Sequence, residues 1–418
     1  MTAPRVGLFG LLGSANIGNE AQLESVLAYL RASHLDAVLD AMSSGPENVR
    51  AKHGIDAIPL LWYEKYEERT SGAVAVALKV LGKGIDAFRT ASWVRRHDVV
   101  IVPGAGTLEA ALPLRPWGVP YSMFLLSASG RLFGTKVALV SVGASAIRQR
   151  ATRWLFKSAA RLAFYRSYRD AQSRDLVRQW GLDTSGDPVY ADLAFGVPVP
   201  PYGSGDPQTV GVGVMDYYGG NDDRRRAAEI HASYLAKMKR FTRWLIDSGY
   251  RVRLFGGDNL WDDGVVLEIL EDVRAYRPDL APDWVAAEPV SSFAELMQAI
   301  APAGAVVATR YHNVICALKL GKPTISLGYS PKFAALMTDM GMQGFSQPAD
   351  SLDVDRLIEQ FMELQSRSAP LRNSLRECNA VKKQQFDQQF ALLSALLFPA
   401  DEAAQAVVVP DPVRERTL

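Results

Sequence analysis

The sequence predicts an α/β fold of two domains facing a central cleft, and three observations predict it. The chain has 418 residues, about two to three times a usual domain length. Short apolar runs alternate along it with segments of helical period. Most of the runs are continuous in apolar residues, as parallel strands covered on both faces by helices require. Strand and helix alternating in this way build doubly wound sheets.

Composition sets the limits. Apolar residues make up 48% and charged residues 22%, the balance of a folded soluble chain. The 46 Lys and Arg against 45 Asp and Glu create no global field. No nucleic-acid partner is therefore expected, and any anion site must be local. Two cysteines, Cys316 and Cys378, are too few for a secreted disulfide framework and read as buried or inert thiols in a reducing compartment. The five histidines are scattered, so no zinc site is expected.

The start, MTAPRVGLFGLLGS, reads as a first strand, VGLFGLL (6–12), and not as a cleaved secretory segment. Next comes GLLGSANIGNEAQ (10–22), where Gly10, Gly13 and Gly18 permit a tight turn and Asn16, Asn19 and Glu20 bring polar groups to a helix start. This is either an anion site at a helix N-terminus or a plain strand-to-helix turn with Asn as N-cap. The glycine spacing does not give G-x-G-x-x-G, and no GK[ST] follows. Leu23, Val26, Leu27 and Leu30 then recur at helical period.

The strand DVVIVPG (98–104) runs into a second Gly-rich turn, PGAGTLEAA (103–111), with Gly104 and Gly106. After KVALVSVG (136–143) comes a segment rich in Arg and Lys, from Arg148 to Arg169, most of which helical spacing spreads over solvated faces. Arg169 and Asp170, followed by Ser173, stand at the end of the strand-like AFYRSY (163–168), before the helix AQSRDLVRQWG. An Arg oriented by a neighbouring carboxylate is a fixed fork for a carboxylate or phosphate; the other reading is a structural salt bridge. The Pro- and Gly-rich VPVPPYGSGDPQ (197–208) marks the boundary. The first domain is expected over 1–200, the second over 205–400, and a mobile tail over 401–418.

Second-half strands are expected at VGVGVM (210–215), YRVRLFGG (250–257), GAVVA (304–308) and PTISLGY (323–329). FGGDNLWDDG (255–264) puts Asp258, Asp262 and Asp263 after a strand, to hold sugar hydroxyls or a cation, or simply as a solvated loop. In ATRYHNVICALKLGKP (308–323), Arg310 and His312 are two residues apart, so in an extended segment they face the same crevice, with Asn313 capping the next helix. YSPKFAALM (329–337) repeats strand, turn and helix and adds Lys332. Arg, His and Lys delivered to one place suit an anionic substrate and an acid-base step. Trp117, Tyr121, Tyr217, Tyr218 and Trp261 follow predicted strands, to stack on a sugar or to fill the core. The most apolar stretches, 73–81 and 119–128, fall short of the ~20 residues that span a bilayer. The protein is expected in the cytoplasm.

GSANIGNEA, PGAG, YRDAQS with YADLAF, and above all TRYHNVICALKLGKPTISLGYSPK resemble the polysaccharide pyruvyl transferases, over residues 5 to 345. Asn19 stands where that family commonly has Asp, and PGAG replaces a more Gly-rich turn. The resemblance implies a glycosyltransferase-B-like pair of Rossmann-like domains. It implies transfer of pyruvate from phosphoenolpyruvate onto two hydroxyls of a sugar in a polysaccharide or glycolipid, leaving a cyclic ketal and releasing phosphate. His312 would act as general acid together with Arg310, and Arg169, Arg310, Lys332 and Ser173 would bind the donor. Gly13, Asn16, Asn19, Glu20, Gly104, Gly106, Asp258 and Asp262 would be acceptor or loop positions. The first domain would be the acceptor side and the second the donor side, with no metal or cofactor. For a lipid-linked acceptor, the basic region 148–166 would contact the inner face of a membrane. The rival readings are a nucleotide-sugar glycosyltransferase of the same architecture and a non-catalytic α/β binding protein.

Overall fold

The computed structural model describes residues 3–14, 16–63, 71–109, 116–220, 223–258 and 261–398. The expected tail, 401–418, lies outside them. Six strands form a first sheet: β1 (Arg5–Gly10), β2 (Val38–Ser43), β3 (Asp56–Pro59), β4 (Val99–Pro103), β5 (Lys136–Val142) and β6 (Tyr165–Tyr168). They alternate with α1 (Ile17–Ser33), α2 (Pro46–His53), α3 (Gly72–Val94), α4 (Val119–Phe133) and α5 (Arg150–Leu162), and α6 (Ala171–Gln179) follows β6. Every pairing is parallel, in the order β3-β2-β1-β4-β5-β6.

The second sheet repeats the plan. Its strands are β7 (Asp206–Gly213), β8 (Arg251–Phe255), β9 (Val285–Ala287), β10 (Ala303–Ala308), β11 (Thr324–Gly328) and β12 (Ser346–Pro348). The helices are α7 (Ala227–Asp247), α8 (Asp263–Tyr276), α9 (Phe293–Ile300), α10 (Tyr311–Lys319), α11 (Pro331–Asp339), α12 (Val354–Ser366) and α13 (Ser368–Leu397). The order β12-β11-β10-β7-β8-β9 is again fully parallel. Both sheets thus reverse direction once, between β1 and β4 and between β7 and β10. Such switch points open crevices at the strand carboxyl ends, where α/β sheets take their ligands.

Every residue of β4 and β10 is buried, which explains their continuous apolar runs. The strands that sequence reasoning left out, β2, β3, β9 and β12, are the outer ones. VLDAMS, DAIP, VAA and SQP are short or mixed because flanking and edge strands bury less side-chain surface.

The first sheet has a core on each face. Trp93, Met123, Leu126 and Phe156 pack beneath α3, α4 and α5. Leu23, Val26, Leu30 and Val49 pack beneath α1 and α2. One core built around Phe241, Phe255, Phe293 and Phe361 fills the second half. The last helix belongs to both halves: Leu371 and Leu375 of α13 join the second core, whereas Phe390, Leu393 and Leu397 join the first. Gln389, fully buried, bonds Ser141 Oγ at 3.0 Å and Ser167 Oγ at 2.9 Å in the first sheet. Cys316 is buried and Cys378 half-buried.

Candidate active site

The turn after β1 is fixed by its own side chains. Glu20 is buried; its Oε1 accepts from Gly13 N at 2.7 Å, and its Oε2 lies 3.4 Å from His53 Nε2. Asn16 caps α1, accepting from Gly18 N at 3.1 Å and Asn19 N at 3.3 Å, while Asn19 Nδ2 donates to Ser14 Oγ at 3.2 Å. Glu20 and Asn19 therefore shape the loop. Asn16 also forms an isolated antiparallel bridge with Asp258, joining the first half to the second.

Arg169 leaves β6 into a buried pocket. Gly143 makes room for it, since a Cβ there would lie 2.5 Å from the guanidinium carbon. Its guanidinium bonds Glu109 and lies 3.5 Å from both Asp170 and Asp192. Asp170 caps α6 through Ser173 N at 2.6 Å, and Ser173 Oγ accepts from Ala144 N at 3.0 Å. Ser173 thus supports the neighbouring loop. Burial disfavours the charge on Arg169, but Glu109, Tyr311 and Asp192 around it push its pKa above the ordinary value.

From the second half, Lys332 at the start of α11 reaches Glu109 Oε2 at 3.0 Å. One carboxylate is thus shared by cations from two sheets. The Tyr311 ring packs against both, 4.9 Å from Arg169 and 4.9 Å from Lys332. Burial alone would raise the Glu109 carboxyl, but Arg169 and Lys332 outweigh it and hold the group at about 2. Burial lowers the Lys332 ammonium, with Glu109 opposing.

His312 packs on the backbone of α1: a Cβ on Gly18 would lie 1.8 Å from its Nδ1. Its Nε2 is 3.4 Å from Gln22 Nε2, and the same amide nitrogen donates to Asp192 at 3.1 and 3.3 Å. An amide nitrogen only donates, so in this orientation Gln22 presents an N–H to the imidazole and ties it to Asp192. Burial first, and then the nearby Arg169 and Lys332, lower the imidazole to about 4 against the pull of Asp192.

Arg310 takes a different direction. Its Nε and Nη2 bind Asp262 at 2.8 and 2.6 Å. Asp262, with no exposed surface, also accepts from Gly257 N at 2.9 Å and Asp216 N at 3.0 Å. Its oxygens are spent on protein groups, so it positions Arg310 and does not face a sugar. Two local expectations are corrected here. The segment 310–312 is not extended: Arg310 is the N-cap of α10 and His312 lies in its first turn. The two side chains therefore diverge, one to the β8–α8 loop and one to α1. Asn313 does not cap α10; it lies inside the helix and donates to Gly256 O at 3.0 Å.

Arg169, Lys332 and His312 thus converge, while Ser173, Glu20, Asn19 and Asp262 serve the scaffold. Gly104, in the left-handed region at φ +48°, and Gly106 shape the loop that carries Glu109. Gln22, Glu109, Asp192 and Tyr311 were not singled out from sequence. Among the expected aromatics, Tyr217 is buried against Tyr234, Tyr218 stacks on His231, and Trp117 and Trp261 are exposed. Among the described residues, no group of three or more His, Cys, Asp or Glu is placed to hold a metal ion.

The fold is similar to that of the UDP-GlcNAc 2-epimerase from Neisseria meningitidis bound to UDP-GlcNAc (TM-score 0.57, 10% identity, covering 94% of this chain and 100% of that one). It is similar to the UDP-GlcNAc 2-epimerase from Methanocaldococcus jannaschii (TM-score 0.55, 9% identity, 86% and 91% covered). It also resembles a glycosyltransferase from Rickettsia africae (TM-score 0.55, 11% identity, 96% and 100% covered). At such identity the likeness concerns the fold alone, and it defines a glycosyltransferase-B-like pair of doubly wound domains. A comparison with curated proteins gave no match. The chain belongs to the polysaccharide pyruvyl transferase family, whose pattern it matches over residues 16–331.

Proposed function

We propose that the protein transfers the pyruvyl group of phosphoenolpyruvate onto two hydroxyls of a sugar in a polysaccharide or glycolipid, forming a cyclic ketal and releasing phosphate. The observation that carries this reading, beside family membership, is a carboxylate held between Arg169 and Lys332, cations from opposite sheets, beside His312. A donor that carries a carboxylate and a phosphate suits the same cations once Glu109 yields.

In this mechanism His312 gives a proton to the methylene carbon of the donor, and the adjacent carbon becomes electrophilic. One sugar hydroxyl adds there, and the neutral imidazole takes up its proton. The second hydroxyl then displaces phosphate, which leaves with the bond electrons, and the second proton passes to phosphate or solvent. Asp192, through Gln22, orients the imidazole. Arg310, held by Asp262, adds positive charge on the donor side. No metal or cofactor enters the scheme, so turnover should persist in a chelator.

The test is phosphate release from phosphoenolpyruvate with and without a panel of glycosides and cell-envelope extracts. Acceptor-dependent release that is lost in His312→Ala, with donor binding retained, is expected. A melting temperature raised by a uridine nucleotide and not by phosphoenolpyruvate would overturn the reading in favour of a nucleotide-sugar transferase.

A further inference from the structure

α3, α4 and α5 lie side by side over one face of the first sheet and leave an outer surface unlike the rest of the molecule. On α3, Val76, Val80, Leu81 and Phe88 are exposed, Phe88 at 76%. At steps of four, one and seven residues they share one side of the helix, an arc of roughly 140°, for about three turns. On α4, Leu132 and Phe133 are exposed; on α5, Trp154 is exposed and meets Phe124 of α4 at 5.6 Å between ring centroids. Singly exposed apolar residues are ordinary, but large apolar side chains exposed together on three neighbouring helices mark an interaction surface.

Charge identifies the partner. The three helices carry eight basic side chains and one acidic one, Asp86. Asp86 is buried, accepting from Trp62 N and lying near Lys83 and Arg89, so it presents no negative charge outward. Arg150, Trp154, Lys157 and Arg161 follow one stripe of α5, and exposed Arg131 adjoins Leu132. Apolar side chains with flanking Arg and Lys are the pattern of a surface lying in a bilayer interface, stems among the acyl chains and charges at anionic headgroups. A second copy docking through the same face would set basic against basic. No helix among the described residues is long and apolar enough to cross a membrane.

We propose that the outer face of α3, α4 and α5 docks peripherally on an anionic lipid bilayer. Because these helices run antiparallel to their strands, their first turns stand at the strand carboxyl ends. The docked protein therefore holds the rim of its crevice beside the membrane, within reach of a sugar carried on a lipid. This last step rests on the pyruvyl-transfer reading, whereas the docking does not.

The test is co-sedimentation of the full chain with vesicles of phosphatidylcholine alone or with phosphatidylglycerol added, without donor or acceptor. Binding to the phosphatidylglycerol vesicles, little binding to phosphatidylcholine, and release by high salt are expected. Val80→Asp with Phe88→Asp should abolish binding at an unchanged melting temperature, and Leu132→Asp on the neighbouring helix should weaken it if the pair proves unstable. Protein left in the supernatant with both vesicles, or undiminished binding by these variants, would overturn the proposal. So would light scattering that shows a dimer converted to monomer by Phe88→Asp, which would make the face a contact between copies. Since no turnover is read, failure here leaves the proposed reaction standing, and a failed reaction leaves the docking standing.

Discussion

His312 is neutral before a donor arrives, because burial, Arg169 and Lys332 hold it at about 4. Its folded pKa is lowered, so the unfolded chain binds a proton that the folded site refuses. Its effect is a loss of stability as pH falls from 6.5 towards about 4, and none above that window. An anionic donor reverses the local balance, so binding near neutral pH should take up a fraction of a proton. Calorimetry in buffers of differing ionisation enthalpy checks this; uptake should vanish in His312→Gln, and its absence in the wild type would remove the acid role. Glu109 occupies the cations assigned to the proposed donor. Glu109→Gln is accordingly expected to tighten phosphoenolpyruvate binding about tenfold, and unchanged affinity would mean that the carboxylate never yields. Arg169, Arg310, His312 and Lys332 all follow strands in the sequence, where a basic side chain is easily noticed, yet folding brings only Arg169, His312 and Lys332 together and turns Arg310 to Asp262. Gln22, Glu109 and Asp192 were not, because each acts only through a neighbour that folding brings from a distant loop.

The start of α10 shows how an element can be recognised while its directions are misread. The apolar run and the helix after it are plain in the sequence, yet a helix that begins one residue after Arg310 sends Arg310 and His312 to opposite walls. What fixes Arg310 is Asp262, forty-eight residues away and fully buried. That carboxylate also binds two backbone N–H groups, so it locks the loops after β7, β8 and β10 together. Asp262→Ala removes one partner of a largely buried pair and leaves the guanidinium uncompensated. The expected loss is about 3–5 kcal/mol, read by urea denaturation, with weaker donor binding. A loss below about 1 kcal/mol would show that Arg310 behaves as a surface cation and that its direction is not set by Asp262.

At the scale of the molecule, the site exists only while the halves stay together, since Arg169 and Glu109 come from the first and His312 and Lys332 from the second. The two α/β halves were visible in the strand pattern, which the two six-stranded parallel sheets match. The return of α13 to the first sheet was not, because apolar spacing says which residues of a helix are buried but not which core receives them. Gln389 is the key of that return, bonded to Ser141 and Ser167 inside the first sheet with Phe390 packed beside it, 4.2 Å from the Tyr29 ring. Gln389→Ala leaves the Ser141 hydroxyl without its acceptor, while Ser167 Oγ still accepts from Ser141 N; the expected cost is about 1–3 kcal/mol, with the second half of the helix loosened and no site side chain removed. Hydrogen exchange should rise in residues 386–397 and stay unchanged around Leu371. The donor KM should rise severalfold, because the four site residues are no longer held at a fixed separation. Faster exchange with an unchanged KM would mean that the contacts between α1, α10 and the Asn16–Asp258 bridge suffice to align the halves, and that α13 is only a brace.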